Sequence, residues 1–169
     1  MGRAPIIILI MAFVAGCGSE SSYRVTIDPH GQKILTGRIY PSLLESDSSF
    51  QWYRKNYDSF VPDSASVSYL TSAAKDVRFI VFGGTWCGDT KRELPKFLKT
   101  MAAARIPESK IELYGVDRSK RSSDGLTDTF DIVSVPTFIV ILDGKELGRI
   151  VEHPEESMEA DLKAILQKK

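Results

Sequence analysis

The chain is short of the residues that most often announce a chemistry. It holds 2 cysteines and 2 histidines in 169 residues. Two thiols are too few for a disulfide framework. With His30 and His153 far apart in sequence, they are also too few for a cysteine- or histidine-rich metal site. Charge of one sign is equally missing, because 22 Lys+Arg balance 22 Asp+Glu. A chain without net charge has no bulk attraction for phosphate, so no nucleic-acid partner is expected. There is no glycine-rich nucleotide loop, no Ser-His-Asp ordering, no internal repeat and no apolar run of the roughly 20 residues that cross a bilayer as a helix. What remains is 43% hydrophobic and 26% charged, ordinary values for one folded domain. No cofactor is called for.

The first residues read as an address. Arg3 precedes an uninterrupted apolar run from Ile6 to Val14, and small residues follow it. This is the layout of an export signal. Val14-Ala15-Gly16-Cys17 resembles the lipobox of bacterial lipoproteins. The resemblance implies cleavage before Cys17, a lipid on its sulfur, and a protein held at a membrane outside the cytoplasm by its acyl chains. Gly18, standing where an Asp often signals inner-membrane retention, leans the expectation toward the outer membrane of the cell envelope. Residues 1–16 are thus assigned to the signal and 17–29 to a lipidated tether, polar from Gly18 to Ser22.

Farther along, Lys33 to Tyr40 has the makings of a short strand. Phe50, Tyr53, Tyr57 and Phe60 recur at helical spacing, which predicts an amphipathic helix over 48–60, stopped by Pro62, with its aromatics in the core. Val67, Leu70 and Ala74 suggest another helix. Val77–Phe82 is a buried-strand run, broken by Gly83-Gly84. A helix follows from Gly88 to Ala104 with Pro95 inside it, then a strand over Ile111–Val116 and a short helix near Gly125–Phe130. Thr137–Leu142 and Glu146–Val151 flank the hairpin signal Asp143-Gly144-Lys145, and Pro154–Gln167 reads as a closing helix. Helix-linked strands should be parallel and the last pair antiparallel. The expected fold is therefore α/β, a mixed central sheet flanked by helices on both faces. Residues 77–169 form its core, and 30–76 are an N-terminal helical extension packed on it.

The chemistry is expected where the first core strand gives way to its helix. Cys87 stands at that junction, where unpaired N–H groups and the positive end of the helix dipole favour a thiolate, the nucleophilic form. Trp86 offers an apolar surface beside it, and Gly88 leaves room for another backbone. Thr90, one turn on, is placed to donate its hydroxyl to the sulfur, while an ionised Asp89 acts against the thiolate. Arg92 and Glu93 read as surface residues or a local ion pair. Arg118, Lys120 and Arg121 read as a solvated basic loop that would attract an anionic thiol if it lay at the site's edge.

Trp86-Cys87-Gly88, Pro95, Ser134-Val135-Pro136-Thr137 and the Asp143-Gly144-Lys145 hairpin with Gly148 occur in one order. In that order they resemble the thioredoxin family, over about Val77 to Leu166. The resemblance implies a thioredoxin-like fold with a cis bond before Pro136. It also implies that the Val135, Pro136 and Thr137 segment lies beside Cys87 and pairs with an extended substrate. Three departures matter. Thr90 stands where the family has its second cysteine, Asp89 where it has a proline, and Val81 where it has a buried acid. With Cys17 lipidated, Cys87 is the one thiol left. The expected activity is thiol–disulfide exchange with protein disulfides or thiols, resolved by an external thiol or reductant. The alternative is a non-catalytic module that binds or retains clients. A third resemblance, to monothiol glutaredoxins that share an iron–sulfur cluster, fits poorly with export.

Overall fold

The computed structural model describes residues 22–169. The expected signal segment and Cys17 lie outside them. Among the described residues no helix is long and apolar enough to cross a membrane.

Strand β3 (Val77–Gly83) organises the domain. Its Val77, Phe79, Ile80, Val81 and Phe82 are all buried, so both of its faces need cover. It lies parallel to β4 (Ile111–Gly115) and antiparallel to β5 (Thr137–Leu142). The parallel neighbour demands a crossover, supplied by α4 (Gly88–Ala103). The antiparallel β5 continues through a tight turn into β6 (Lys145–Val151). Asp143 and Gly144 both take positive φ there, the turn that matches the twist of paired strands. Strands β1 (Tyr23–Ile27) and β2 (Lys33–Ile39) complete a mixed sheet of order β1-β2-β4-β3-β5-β6.

One face of the sheet carries most of the core. Phe97 of α4 lies between Phe79 and Phe138, with ring centroids 5.8 and 5.0 Å away. Leu94, Leu98 and Met101 extend that contact, and Met158, Leu162, Ile165 and Leu166 of α6 (Met158–Leu166) close it. Helices α1 (Pro41–Ser46), α2 (Gln51–Ser59) and α3 (Ser64–Ala73) add Leu44, Tyr53 and Leu70 to the same cluster. The aromatics of α2 are thus packing residues. On the opposite face Ile80, Phe82, Tyr114, Ile139 and Ile141 are covered by the chain between β4 and β5. This chain contains the one-turn helix α5 (Leu126–Thr129) and contributes Leu126, Phe130, Ile132 and Val135. Helices do flank both faces, unequally.

Four elements depart from the sequence expectation. Tyr23–Ile27, assigned to the tether, is the edge strand β1, paired antiparallel with β2 from Tyr23↔Gly37 to Ile27↔Lys33. Its residues beyond Tyr23 are exposed, so burial patterning could not reveal it; only the pairing does. Strand β2, assigned to an extension packed on the core, lies inside the sheet between β1 and β4. The helix expected over 48–60 divides into a 3-10 turn (Ser48–Phe50) and α2, because Asp47 accepts from Ser49 N at 2.8 Å and starts a separate cap. The closing helix begins at Met158, not Pro154. Ser157 caps it through Ala160 N, and the Asp161 carboxylate takes the N–H groups of Glu155 and Glu156, holding 154–157 out of the helix. The short α1, begun by Pro41, was too brief to show a period.

Candidate active site

The site is assembled where β3 ends. A methyl on Gly83 would stand 2.9 Å from Thr90 Cγ2, and one on Gly84 would stand 2.6 Å from the Trp86 ring. Bare backbone at both positions lets the first turn of α4 and the indole fold against the strand end. Gly84 O then accepts from Cys87 N at 2.8 Å, a turn that delivers Cys87 to the N-cap of α4. Cys87 has extended φ/ψ of −80° and 131°, and its carbonyl accepts the first helical bond from Lys91 N at 3.0 Å. The half-buried sulfur is therefore set at the amide end of a sixteen-residue helix.

The sulfur meets the segment before β5. Cys87 Sγ donates to the Val135 carbonyl at 3.3 Å. The Val135–Pro136 bond is cis, and Thr137, buried at the start of β5, donates its hydroxyl to Ser134 O at 2.7 Å. Trp86 Nε1 donates to Val116 O at 3.1 Å, fixing the indole beside the sulfur's own turn. The fold thus brings Cys87 against Val135, with Trp86 and Pro136 as their chain neighbours and Thr137 following at the start of β5.

Three neighbours behave differently from expectation. The Thr90 hydroxyl does not serve the sulfur. It is buried and accepts from Gly84 N at 3.1 Å, because the helix turn carries it over the end of β3 rather than toward Sγ. Asp89 is ionically balanced, since its carboxylate lies 2.6 Å from Arg92 Nη2, so it does not oppose a thiolate as a bare charge. Gly88 gives no close approach within the chain: a Cβ there would meet nothing within 4 Å. Arg92 and Glu93 do form a local ion pair at 2.6 Å, yet the Glu93 carboxylate is buried rather than at the surface. The Glu93 and Asp89 carboxylates together push the Arg92 pKa up.

Sequence reasoning missed two supports. Thr85 is buried, donates to Lys33 O at 2.9 Å and accepts from Leu35 N, tying β2 to the site. The β1–β2 turn reaches the site as well. Asp28 accepts from Arg118 Nε at 2.9 Å, and Arg118 lies over Trp86 with its guanidinium carbon 5.3 Å from the ring centroid. No local signal could announce a contact between residues 90 positions apart.

A family model described as thioredoxin matches residues 43–164. The chain belongs to the thioredoxin family. It is 26% identical over 112 residues to protein disulfide-isomerase A4 of Bos taurus, an alignment covering 66% of this chain and 15% of that protein. It is 28% identical over 93 residues to a thioredoxin-like protein of Acanthamoeba polyphaga mimivirus, covering 55% of this chain and 65% of the relative. The chain therefore spans less than two thirds of either. A Pseudomonas aeruginosa protein of unknown function has the same fold, with a TM-score of 0.50 and 19% identity over 76% of this chain and 89% of that one. Val81 is fully buried among apolar side chains, and Thr90 is buried one helical turn beyond Cys87.

Proposed function

We propose that this protein is a single-cysteine thiol–disulfide exchange protein of a bacterial cell envelope, with Cys87 as nucleophile and a lipid on Cys17 as anchor. One observation carries the reading: the Cys87 sulfur combines a helix N-cap position with a 3.3 Å contact to the Val135 carbonyl, in a thioredoxin-family domain. The Cys87 thiolate attacks one sulfur of a client disulfide. The client S–S bond breaks, its electron pair leaves on the second client sulfur, and that sulfur takes up a proton. Among the described residues Cys87 is the one cysteine, so the resulting mixed disulfide is opened by an outside thiol. That thiol forms the new disulfide and returns Cys87 as thiolate. The Cys87 hydrogen bond to Val135 exists only while sulfur holds its proton. Ionisation therefore frees the Val135 carbonyl for the backbone N–H of an extended client.

Trapping tests this. Cells expressing the full chain are quenched in acid, free thiols are blocked, and disulfide-linked adducts are identified. Adducts present in the wild type and absent from Cys87→Ala are expected; none in either sinks the exchange reading. Palmitate labelling that disappears in Cys17→Ser is expected for the anchor, with the outer membrane favoured.

A second reading, a client-binding module without catalysis, draws on the missing second thiol: among the described residues Thr90 stands one helical turn beyond Cys87 and α4 carries no other cysteine to resolve a mixed disulfide. Client association that survives in Cys87→Ala favours it.

A further inference from the structure

We propose that Arg118 selects clients by charge, making the site prefer disulfides that carry a carboxylate close to the sulfur. The inference rests on the reading of Cys87 as nucleophile and adds a substrate class to it.

Arg118 is held from three sides. Its Nε donates to Asp28 Oδ2 at 2.9 Å, and its Nη2 reaches the same oxygen and Gln32 Oε1, the latter at 2.9 Å. Its guanidinium lies over the Trp86 ring. Nη1 alone has no partner among the described residues. A guanidinium held in this way loses little further freedom when it accepts an anion. Trp86 adjoins Cys87 in the chain and both pack against the same buried cluster, which puts this cation on the Cys87 side of the domain.

Asp28 does not cancel Arg118 for an approaching ligand. The Asp28 side chain is 4% exposed and that of Arg118 is 45% exposed. The other Asp28 oxygen is occupied by the N–H groups of His30 and Gln32, at 2.8 and 2.9 Å. Solvent therefore meets the cationic end of the pair, with the carboxylate behind it. The acidic groups nearby are engaged locally, and Lys120 and Arg121 of the same loop add positive charge. Asp89 is paired with Arg92, and Asp117 Oδ1 accepts from the Ser119 and Arg121 N–H groups.

The test uses the full chain carrying Cys17→Ser, which leaves Cys87 as the only thiol. Three small symmetrical disulfides are compared: dithiodipropionate (anionic), bis(2-hydroxyethyl) disulfide (neutral) and cystamine (cationic). In each case the Cys87 thiolate displaces one half as a thiolate and keeps the other as a mixed disulfide, which mass spectrometry follows with time. The readout is the anionic-to-neutral rate ratio, which cancels any general change in the sulfur.

Arg118→Gln is expected to lower that ratio by about fivefold at low ionic strength, and 1 M salt, where the Debye length is about 3 Å, to remove most of the wild-type preference. Asp28→Asn removes the countercharge and is expected to raise the ratio, a direction that a merely structural loss of the clamp would not produce. Opposite shifts in the two variants support the proposal. A ratio unmoved by Arg118→Gln, or moved the same way by both variants, overturns it. If Arg118→Gln does not fold, a wild-type ratio indifferent to salt overturns it alone. Failure of the underlying reading looks different: all three disulfides then react no faster than with an unstructured cysteine peptide, while the ratio is still measurable from the slow rates.

Discussion

Cys87 Sγ and the Val135 carbonyl oxygen, 48 residues apart in sequence, are 3.3 Å apart in space. The contact joins the start of α4 to the loop that enters β5, the two places where antiparallel and parallel neighbours of β3 diverge. β4 and β5 flank β3 on opposite sides, so the contact lies at the end of the central strand. Ligands of open α/β sheets gather at strand ends of this kind. The fold supplies the position, and the residues brought to it supply the chemistry.

Thr90 is a structural residue of this site. Thr90→Val keeps the side chain's volume and strips its acceptor from the buried Gly84 N–H. An unmet buried donor costs about 1–3 kcal/mol. Urea denaturation is expected to show a loss of that size with an unchanged slope, and no measurable loss contradicts the assignment of the Gly84 bond.

Gly84→Ala is expected to dislodge the active-site indole. Its methyl would fall 2.6 Å from the Trp86 ring, too close for either group to stay. The Trp86 bond to Val116 O is then lost along with the Arg118 stacking. Overpacking of this kind costs about 1–3 kcal/mol. Tryptophan emission, read in a Trp52→Phe background so that Trp86 is the only reporter, should shift to the red and become easier to quench with iodide.

The junction of β2 with β4 depends on Gly115. A methyl there would overlap the Leu35 carbonyl oxygen, which is backbone and cannot rotate away. Gly115→Ala is expected to destabilise by about 3 kcal/mol or more, near the upper end of single substitutions. Hydrogen exchange should show the damage first in the amides of β1 and β2, and uniform protection across the sheet would contradict it.

Acid should unfasten the N-terminal region. The Lys33 ammonium at 2.6 Å, with help from Ser49, lowers the Asp47 pKa to about 2. Arg118 lowers that of Asp28, and the Ser66 N–H lowers that of Asp63. A carboxyl whose folded pKa is depressed adds stability above its unfolded value and loses it as pH falls through the folded one. Unfolding free energy is therefore expected to decline below about pH 4 and to go on falling toward pH 2. Lys33→Met should flatten that decline, and an identical acid limb in wild type and Lys33→Met would refute the Asp47 contribution.

The legible parts of this fold share one property: their signal is local. The apolar run of β3 marks a strand buried on both faces, and Leu94, Phe97, Leu98 and Met101 repeat at the helical period along α4. Asp143-Gly144 is a turn that only particular residues make. Each of these is fixed by backbone sterics and solvent exclusion acting within a dozen positions. Cys87 was found for the same reason, as a thiol between a strand and a helix. Strand β1 and the late start of α6 were less legible. The first owes its existence to hydrogen bonds with β2, and the second to a carboxylate, Asp161, that captures the N–H groups ahead of the helix.

By itself the sequence determined the order of core strands and helices, the turn chemistry and a single thiol at a helix start, because propensity, period and turn sterics act between near neighbours. The family resemblance implied the Val135 segment beside that sulfur, and tertiary structure alone decided which atoms meet around the site. It placed the Val135 carbonyl against Cys87, turned the Thr90 hydroxyl to Gly84, and laid Arg118, steadied by Asp28, over Trp86. Such choices depend on hydrogen bonds and charge contacts between distant residues, and those come into being only when the sheet brings its edges and loops together.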